Sequence, residues 1–255
     1  MITTRENGSL YTKIVNKIAT IEFGHPASNS FPSELLERLQ KEFQKLSDDE
    51  KVQVIILRSE GEKAFCAGAS FDELMAIENM QQGKLFFSGF ANVINAMRNC
   101  KKLIVGRIQG KTVGGGVGLA AACDYIMATE AAAIKLSELS IGIGPFVIAP
   151  AVERKIGVAA LAELTLAAHE WRNAYWAQEK GLYSHVFETI KDMDKEMLVF
   201  SEKLASYNPD ALFEMKKILW KNTESWEYLL QERAEISGEL VLSDFTKNTL
   251  KKFKK

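Results

Sequence analysis

Histidine and cysteine are both scarce, at three of each in 255 residues. His25, His169 and His185 are far apart, which leaves little basis for a histidine metal site or a histidine-centred triad and makes structural or surface roles the default. His169-Glu170 also lacks the second histidine of a zinc protease helix, since the required position is Asn173. Cys66, Cys100 and Cys123 are odd in number, widely spaced and set in apolar surroundings, so reduced core thiols are expected rather than disulfides or a zinc site. Charge of one sign is missing too: 32 basic against 33 acidic residues leave a net charge of -1. There is no overall field to hold nucleic acid or an anionic membrane, and neither is expected as a partner. No apolar run approaches the ~18 residues that suggest a membrane span. Met1-Ile2-Thr3-Thr4-Arg5-Glu6 has neither a secretory nor a transit-peptide look, and a cytoplasmic protein is expected. Nor is there a linker rich in Pro, Gly or Ser. One α/β core with a helical C-terminal extension is simpler than two domains.

What is present is alternation. Leu10 to Val15 and Ile18 to Phe23 read as two strands joined at Asn16-Lys17, and Leu35, Leu36, Leu39, Phe43 and Leu46 recur at helical spacing. Val52 to Leu57 and Leu103 to Ile108 are apolar runs fit for buried strands, as are Asp124 to Ala128 and Ala133 to Leu136. Ser70-Phe71-Asp72-Glu73 carries a capping-box pattern, and Lys84 to Arg98 reads as a helix. From about Val147 the pattern is almost entirely helical, through Ala159 to Ala168, Ala174 to Lys180, Asp192 to Ala205, Pro209 to Trp220 and Ser225 to Leu242.

The densest local pattern is Gly114-Gly115-Gly116-Val117-Gly118, which leads from the strand region into a small-residue helix start. Backbone N–H groups at a helix N-terminus are free and sit at the positive end of its dipole. With no Cβ in the way, an oxygen can approach them closely. Phosphate motifs fail on spacing: a P-loop ending in Gly110-Lys111-Thr112 needs glycine at Val105, and a dinucleotide fingerprint needs its third glycine at Leu119. A second small-residue loop, Lys63 to Ser70, also enters a capped helix. It reads either as a tight packing turn or as the source of a second amide. Glu138 lies in the apolar, glycine-bearing stretch Ile134 to Gly142, where it is either a cap or salt-bridge partner or a buried base with a raised pKa.

Phe65-Cys66-Ala67-Gly68-Ala69, the triple glycine, Ala122-Cys123-Asp124 and Ser137-Glu138-Leu139-Ser140-Ile141-Gly142 together resemble the crotonase superfamily, also called the enoyl-CoA hydratase/isomerase family. Each motif alone is weak. Their order and spacing over residues 10 to 190 are specific. The resemblance implies an α/β crotonase fold, with a spiral of repeated ββα units over residues 1–190 and a helical trimerisation region over 191–255. It also implies an acyl-CoA thioester substrate, no metal, and no cofactor beyond the coenzyme A carried by that substrate.

By motif position, the amides of Ala69 and Gly115 would hold the thioester oxygen, with Gly68 and Gly114 beside them. The carbonyl of Ala67 would receive the adenine amino group, Lys63 would approach the phosphates, and Glu138 would be the acid/base. Two-glutamate hydratases of the family carry their first acid where this chain has Gly118, so a gap opposite Glu138 and single-glutamate chemistry are expected. That leaves hydration and 3,2-isomerisation open, with thioester hydrolysis, decarboxylation or non-catalytic acyl-CoA binding as alternatives. Ser70 and Gly144-Pro145-Phe146-Val147 depart from the usual pattern and imply a remodelled pocket. A homotrimer or homohexamer is implied. The segment Phe245 to Lys255, with five lysines, either reaches a neighbouring subunit's coenzyme A or is a solvated basic tail.

Overall fold

In the computed structural model, residues 7–252 are described. The chain opens with β1 (Ser9–Val15) and β2 (Ile18–Gly24), an antiparallel pair whose turn residues Asn16 and Lys17 both have positive φ, at 50° and 65°. Two left-handed residues match the twist of the flanking strands, which is why this tight turn works without glycine. Helix α1 (Ser33–Asp48) follows, burying Leu35, Leu36, Leu39, Phe43 and Leu46 as the spacing predicts.

Three turns of a spiral come next. The first is β3 (Val54–Ser59), β4 (Ala64–Cys66), α2 (Phe71–Met75) and α3 (Met80–Asn99). The second is β5 (Leu103–Ile108), β6 (Lys111–Val113) and α4 (Gly115–Ala121). The third is β7 (Tyr125–Thr129), β8 (Ile134–Lys135), a 3-10 turn at Glu138–Ile141 and α5 (Ala149–Leu166). In every turn the first strand joins the large sheet, of order β1-β2-β3-β5-β7 with a last strand still to come, and the second joins a small parallel sheet of order β4-β6-β8. The chain then adds α6 (Ala174–Glu179), β9 (His185–Phe187), α7 (Ile190–Ala205), α8 (Pro209–Leu219), α9 (Trp226–Leu240) and α10 (Asp244–Lys252).

The large sheet is parallel except at its β1–β2 edge and is covered on both faces. Ile55 and Leu57 of β3 join the main core with α1 and α3, while Val54 and Ile56 meet Met193 and Met197 of α7 on the other face. Covering both faces explains why β3 and β5 read as unbroken apolar runs rather than as alternation. Every described element after β9 is helical, and these helices pack back onto the α/β core, α7 on the sheet and α9 and α10 against α3 and its neighbours. Gly83 of α3 and Gly238 of α9 touch backbone to backbone, with a Cβ on Gly83 falling 2.8 Å from Gly238 Cα.

Up to Lys252 the C-terminal segment is helix α10, with Thr246 and Leu250 buried, so it is not a solvated tail over its whole length. Lys254 and Lys255 lie outside the described residues. All three cysteines are free and buried, as expected. Among the described residues no helix is long and apolar enough to cross a membrane, and no cluster of side chains is suited to hold a metal.

Candidate active site

Because each turn of the spiral ends its small-sheet strand at the same level, three short segments from three turns meet there. They are Ala67 to Ala69 after β4, Gly114-Gly115 before α4 and Ser137-Glu138 after β8. Gly68 packs so closely on the second segment that a Cβ on it would lie 3.2 Å from the Val113 carbonyl and 3.6 Å from the Gly115 nitrogen. Gly114, at φ 53° and ψ -122°, in turn faces Glu138: a Cβ there would lie 2.9 Å from Oε1. The carboxylate beside it leaves no room for a Cβ, and the positive φ is a second, independent reason for glycine here.

Phe31 pins the first segment by donating from its N–H to the Gly68 carbonyl at 2.8 Å and accepting from the Ser70 N–H at 2.9 Å. This parallel bridge leaves the Ala69 amide on the edge facing away from Phe31. Neither the Ala69 nor the Gly115 amide donates to any acceptor among the described residues. Ser70 does cap α2, accepting from the Glu73 N–H at 3.3 Å. Asn29, 8 % exposed, holds the supporting loop by donating to the carbonyls of Glu60 and Ala64 at 2.8 and 2.9 Å.

Glu138 begins the 3-10 turn, which Gly142 closes with φ 91°. The residue is half-buried as a whole, yet its Oε2 is shut away from solvent with no hydrogen-bond partner. Burial pushes the carboxyl up to about 7, against which the backbone amides of Glu138 and Ser137 pull it partly back down. A carboxylate poised there can both take and return a proton near neutral pH. By contrast, burial drives the Cys66 and Cys123 thiols up to about 12, which leaves them inert.

The three segments form one end of a cavity of about 450 Å³. Ala67, Gly68, Ala69, Gly114, Gly115 and Glu138 all line it, and the rest of its wall is mainly apolar, led by Phe86, Phe87, Phe90, Phe146 and Ile148. Two of the expected residues do not line this cavity. Lys63 is exposed at the far end of β4 from Ala67, outside the cavity wall. Gly118 is buried behind Ile148, and a Cβ on Gly118 would lie 2.6 Å from the Ile148 Cβ. The expected gap opposite Glu138 is thus filled by isoleucine. Lys135 and His169 also line the wall, which gives one of the histidines a position at the site. The aromatic wall was visible only as helical spacing in Phe86, Phe87 and Phe90, a pattern that equally describes ordinary core. Ile148 had no local signal, because its role depends on α5 folding over α4.

The family model for enoyl-CoA hydratase/isomerase matches residues 13–253. A probable enoyl-CoA hydratase of Bacillus subtilis (strain 168) is 27% identical over 238 residues, covering 92% of each chain. The mitochondrial methylglutaconyl-CoA hydratase of Rattus norvegicus is 35% identical over 167 residues, covering 65% of this chain and 52% of the relative. The crystal structure of an enoyl-CoA hydratase from Bacillus halodurans superposes with a TM-score of 0.88 at 20% identity, over 95% of this chain and 99% of that one. At that identity the likeness speaks for the fold.

Proposed function

The chain belongs to the enoyl-CoA hydratase/isomerase family, and from that premise we propose that it moves a proton along the acyl chain of an enoyl-CoA thioester, with Glu138 as its single acid/base. The observation that carries this reading is the buried Glu138 oxygen without a partner, set beside two amides that have no acceptor. The thioester oxygen accepts from Ala69 and Gly115. Glu138 then removes a proton from a carbon near the carbonyl, and the electron pair spreads onto that oxygen, where the two donors meet more charge than in the ground state. Returning the proton to a different carbon shifts the double bond and restores Glu138. Atoms and charge balance without a further reactant.

Glu138 is the only carboxylate on the wall of the cavity among the described residues. With Ile148 over Gly118, there is no second acid to hold an attacking water, and this favours isomerisation over hydration. Hydration by the one glutamate is the second reading, supported by the likeness over 92% of the chain to a probable hydratase. Incubation with 2-enoyl-CoA and 3-enoyl-CoA separately, with products identified by mass spectrometry, decides between them. Interconversion of the two supports isomerisation, and a 3-hydroxyacyl product identifies hydration. Free coenzyme A or loss of carbon dioxide would replace both with hydrolysis or decarboxylation, and binding without any product would mark a non-catalytic protein. Full turnover by Glu138→Gln would overturn the role given to Glu138. Trimer or hexamer assembly is part of the same proposal, and light scattering on the purified chain tests it.

A further inference from the structure

A backbone donor kept free for a ligand has no acceptor of its own to aim it, and the Gly115 amide is such a donor. Its peptide is held only from the other side, where the Gly114 carbonyl accepts from the Val117 and Gly118 N–H groups at 2.8 and 3.4 Å. Both residues of that peptide are glycines, whose torsions are the least restricted of any residue. Packing has to supply the rest. Phe90 of α3 does so: a Cβ built on Gly115 would lie 2.9 Å from Phe90 Cδ1 and closer still to Cε1 and Cζ. The ring tip therefore stands where a side chain of Gly115 would be. In the sequence the missing Cβ reads as room for an oxygen, whereas the structure gives that room to a phenyl group. Phe90 is 5 % exposed and belongs to the cavity wall.

The same ring reaches toward the other amide. Phe90 meets Phe31 edge-on, with centroids 6.1 Å apart and planes at 74°. Phe31 is fully buried, and its backbone bridge fixes the peptide of Ala69. Behind it Phe23 of β2 lies 4.7 Å away, and Phe65 of β4 lies 5.3 Å from Phe23. Phe65 stands two residues before Ala67, so one row of four rings touches both amide-bearing segments. Close-packed rings have no slack to absorb a shift at either end. Two donors that share one oxygen need that stiffness, because a displacement of about 1 Å can cost on the order of a hundredfold in rate.

We propose that Phe90 is a positioning residue, whose ring tip holds the Gly115 amide at the distance and angle from the Ala69 amide at which both meet one carbonyl oxygen. The proposal rests on the reading of the cavity as an acyl-CoA thioester site. Phe90 would act through Gly115 and take no part in proton transfer. A residue that served only as apolar wall would instead set affinity for the acyl chain.

Two substitutions separate these roles without emptying the core as alanine would. Phe90→Leu lacks Cε1 and Cζ and ends short of Gly115, while Phe90→Met reaches it with an unbranched chain. The first measurement is difference infrared spectroscopy with butyryl-CoA, isotope-labelled at its thioester carbonyl. Wild type is expected to lower the carbonyl stretching frequency, Phe90→Leu to give back a large part of that shift, and Phe90→Met to keep most of it. The second is steady-state turnover of enoyl-CoA. Phe90→Leu is expected to lose roughly tenfold to a hundredfold in kcat with KM within about threefold, and Phe90→Met to recover most of the loss. A wild-type carbonyl shift in Phe90→Leu, a loss confined to KM, or a methionine variant no better than leucine overturns the positioning role. The proposed reaction then stands if enoyl-CoA is still turned over. If the infrared shifts follow expectation and no enoyl-CoA is converted, the reaction fails and the positioning role remains. Binding of butyryl-CoA by wild type without any carbonyl shift would overturn the reading of the two amides, and the role of Phe90 with it.

Discussion

Glu138 keeps one carboxylate oxygen out of water and unpaired, which costs stability whenever the group is ionised. Its pKa is raised in the folded chain from 4.5 to about 7, so the folded state holds its proton more tightly than the unfolded state. Its contribution is most favourable below about pH 4.5 and is lost as pH rises through about 7. Glu138→Gln is therefore expected to raise the thermal midpoint at pH 8, by a stabilisation on the order of 1–3 kcal/mol, and to leave it unchanged at pH 4. The same variant should lose on the order of 100- to 10,000-fold in kcat, and wild-type kcat/KM should climb with pH through about 7 as the base is freed. Gly118→Ala makes a separate test, because its Cβ would press on Ile148. A loss of about 1–3 kcal/mol is expected in thermal denaturation, largely recovered in the double variant with Ile148→Ala. At this scale the sequence marked the residues whose oddity is local, the glycines and an acid in an apolar stretch. Ile148, Phe31 and Asn29 were not marked, because each acts on a partner distant in the chain.

Among the elements, those with a full period were legible, as was the two-residue β8 within the run Ala133 to Leu136, and the other three short strands were not. Strands β3, β5 and β7 and helices α1 and α3 carry apolar runs or stripes long enough to declare themselves. By contrast β4, β6 and β9 have three residues each, too few to show alternation, and β6 begins with an exposed lysine. They exist because parallel neighbours supply their hydrogen bonds, a tertiary cause. Helix α8 is fixed to the sheets in a similar non-local way. Lys216, 2 % exposed, donates to the Lys102 carbonyl at 2.7 Å and pairs with Asp124 at 3.2 Å. Asp124 also accepts from the Ile104 N–H and the Trp220 indole, both at 2.7 Å. Lys216→Met would strand that carboxylate without its cation, and a loss of about 3 kcal/mol is expected. Thermal melting should show it as a fall of about 6–12 °C, partly restored by adding Asp124→Asn.

Across the whole molecule, the helical character of the last third was readable, but where those helices pack was not. Amphipathic periodicity tells that a face must be covered and is silent on which chain covers it. Here Leu250 and Val241 share a cluster with Leu74, Phe86 and Ile143, and the last three are wall residues of the cavity. Thr246 and Phe245 crowd Gly142, the residue that closes the Glu138 turn. Ending the chain after Ser243 should therefore remove a support of the active site as well as a surface helix. Loss of the Leu250 side chain alone suggests about 2–5 kcal/mol, seen as a drop of about 5–15 °C in the melting midpoint. An unchanged midpoint would show that α10 contributes nothing to the core.

The spiral itself has a consequence for how such a protein can change. Its first turn brings Ala69, its second Gly115 and its third Glu138, each from a separate stretch of chain whose strands are already secured in two sheets. Chemistry is thereby divided among interchangeable steps of one staircase. On the proposed reading, a lineage could replace the third step, and so the reagent, while the first two continue to offer their amides to the same kind of oxygen.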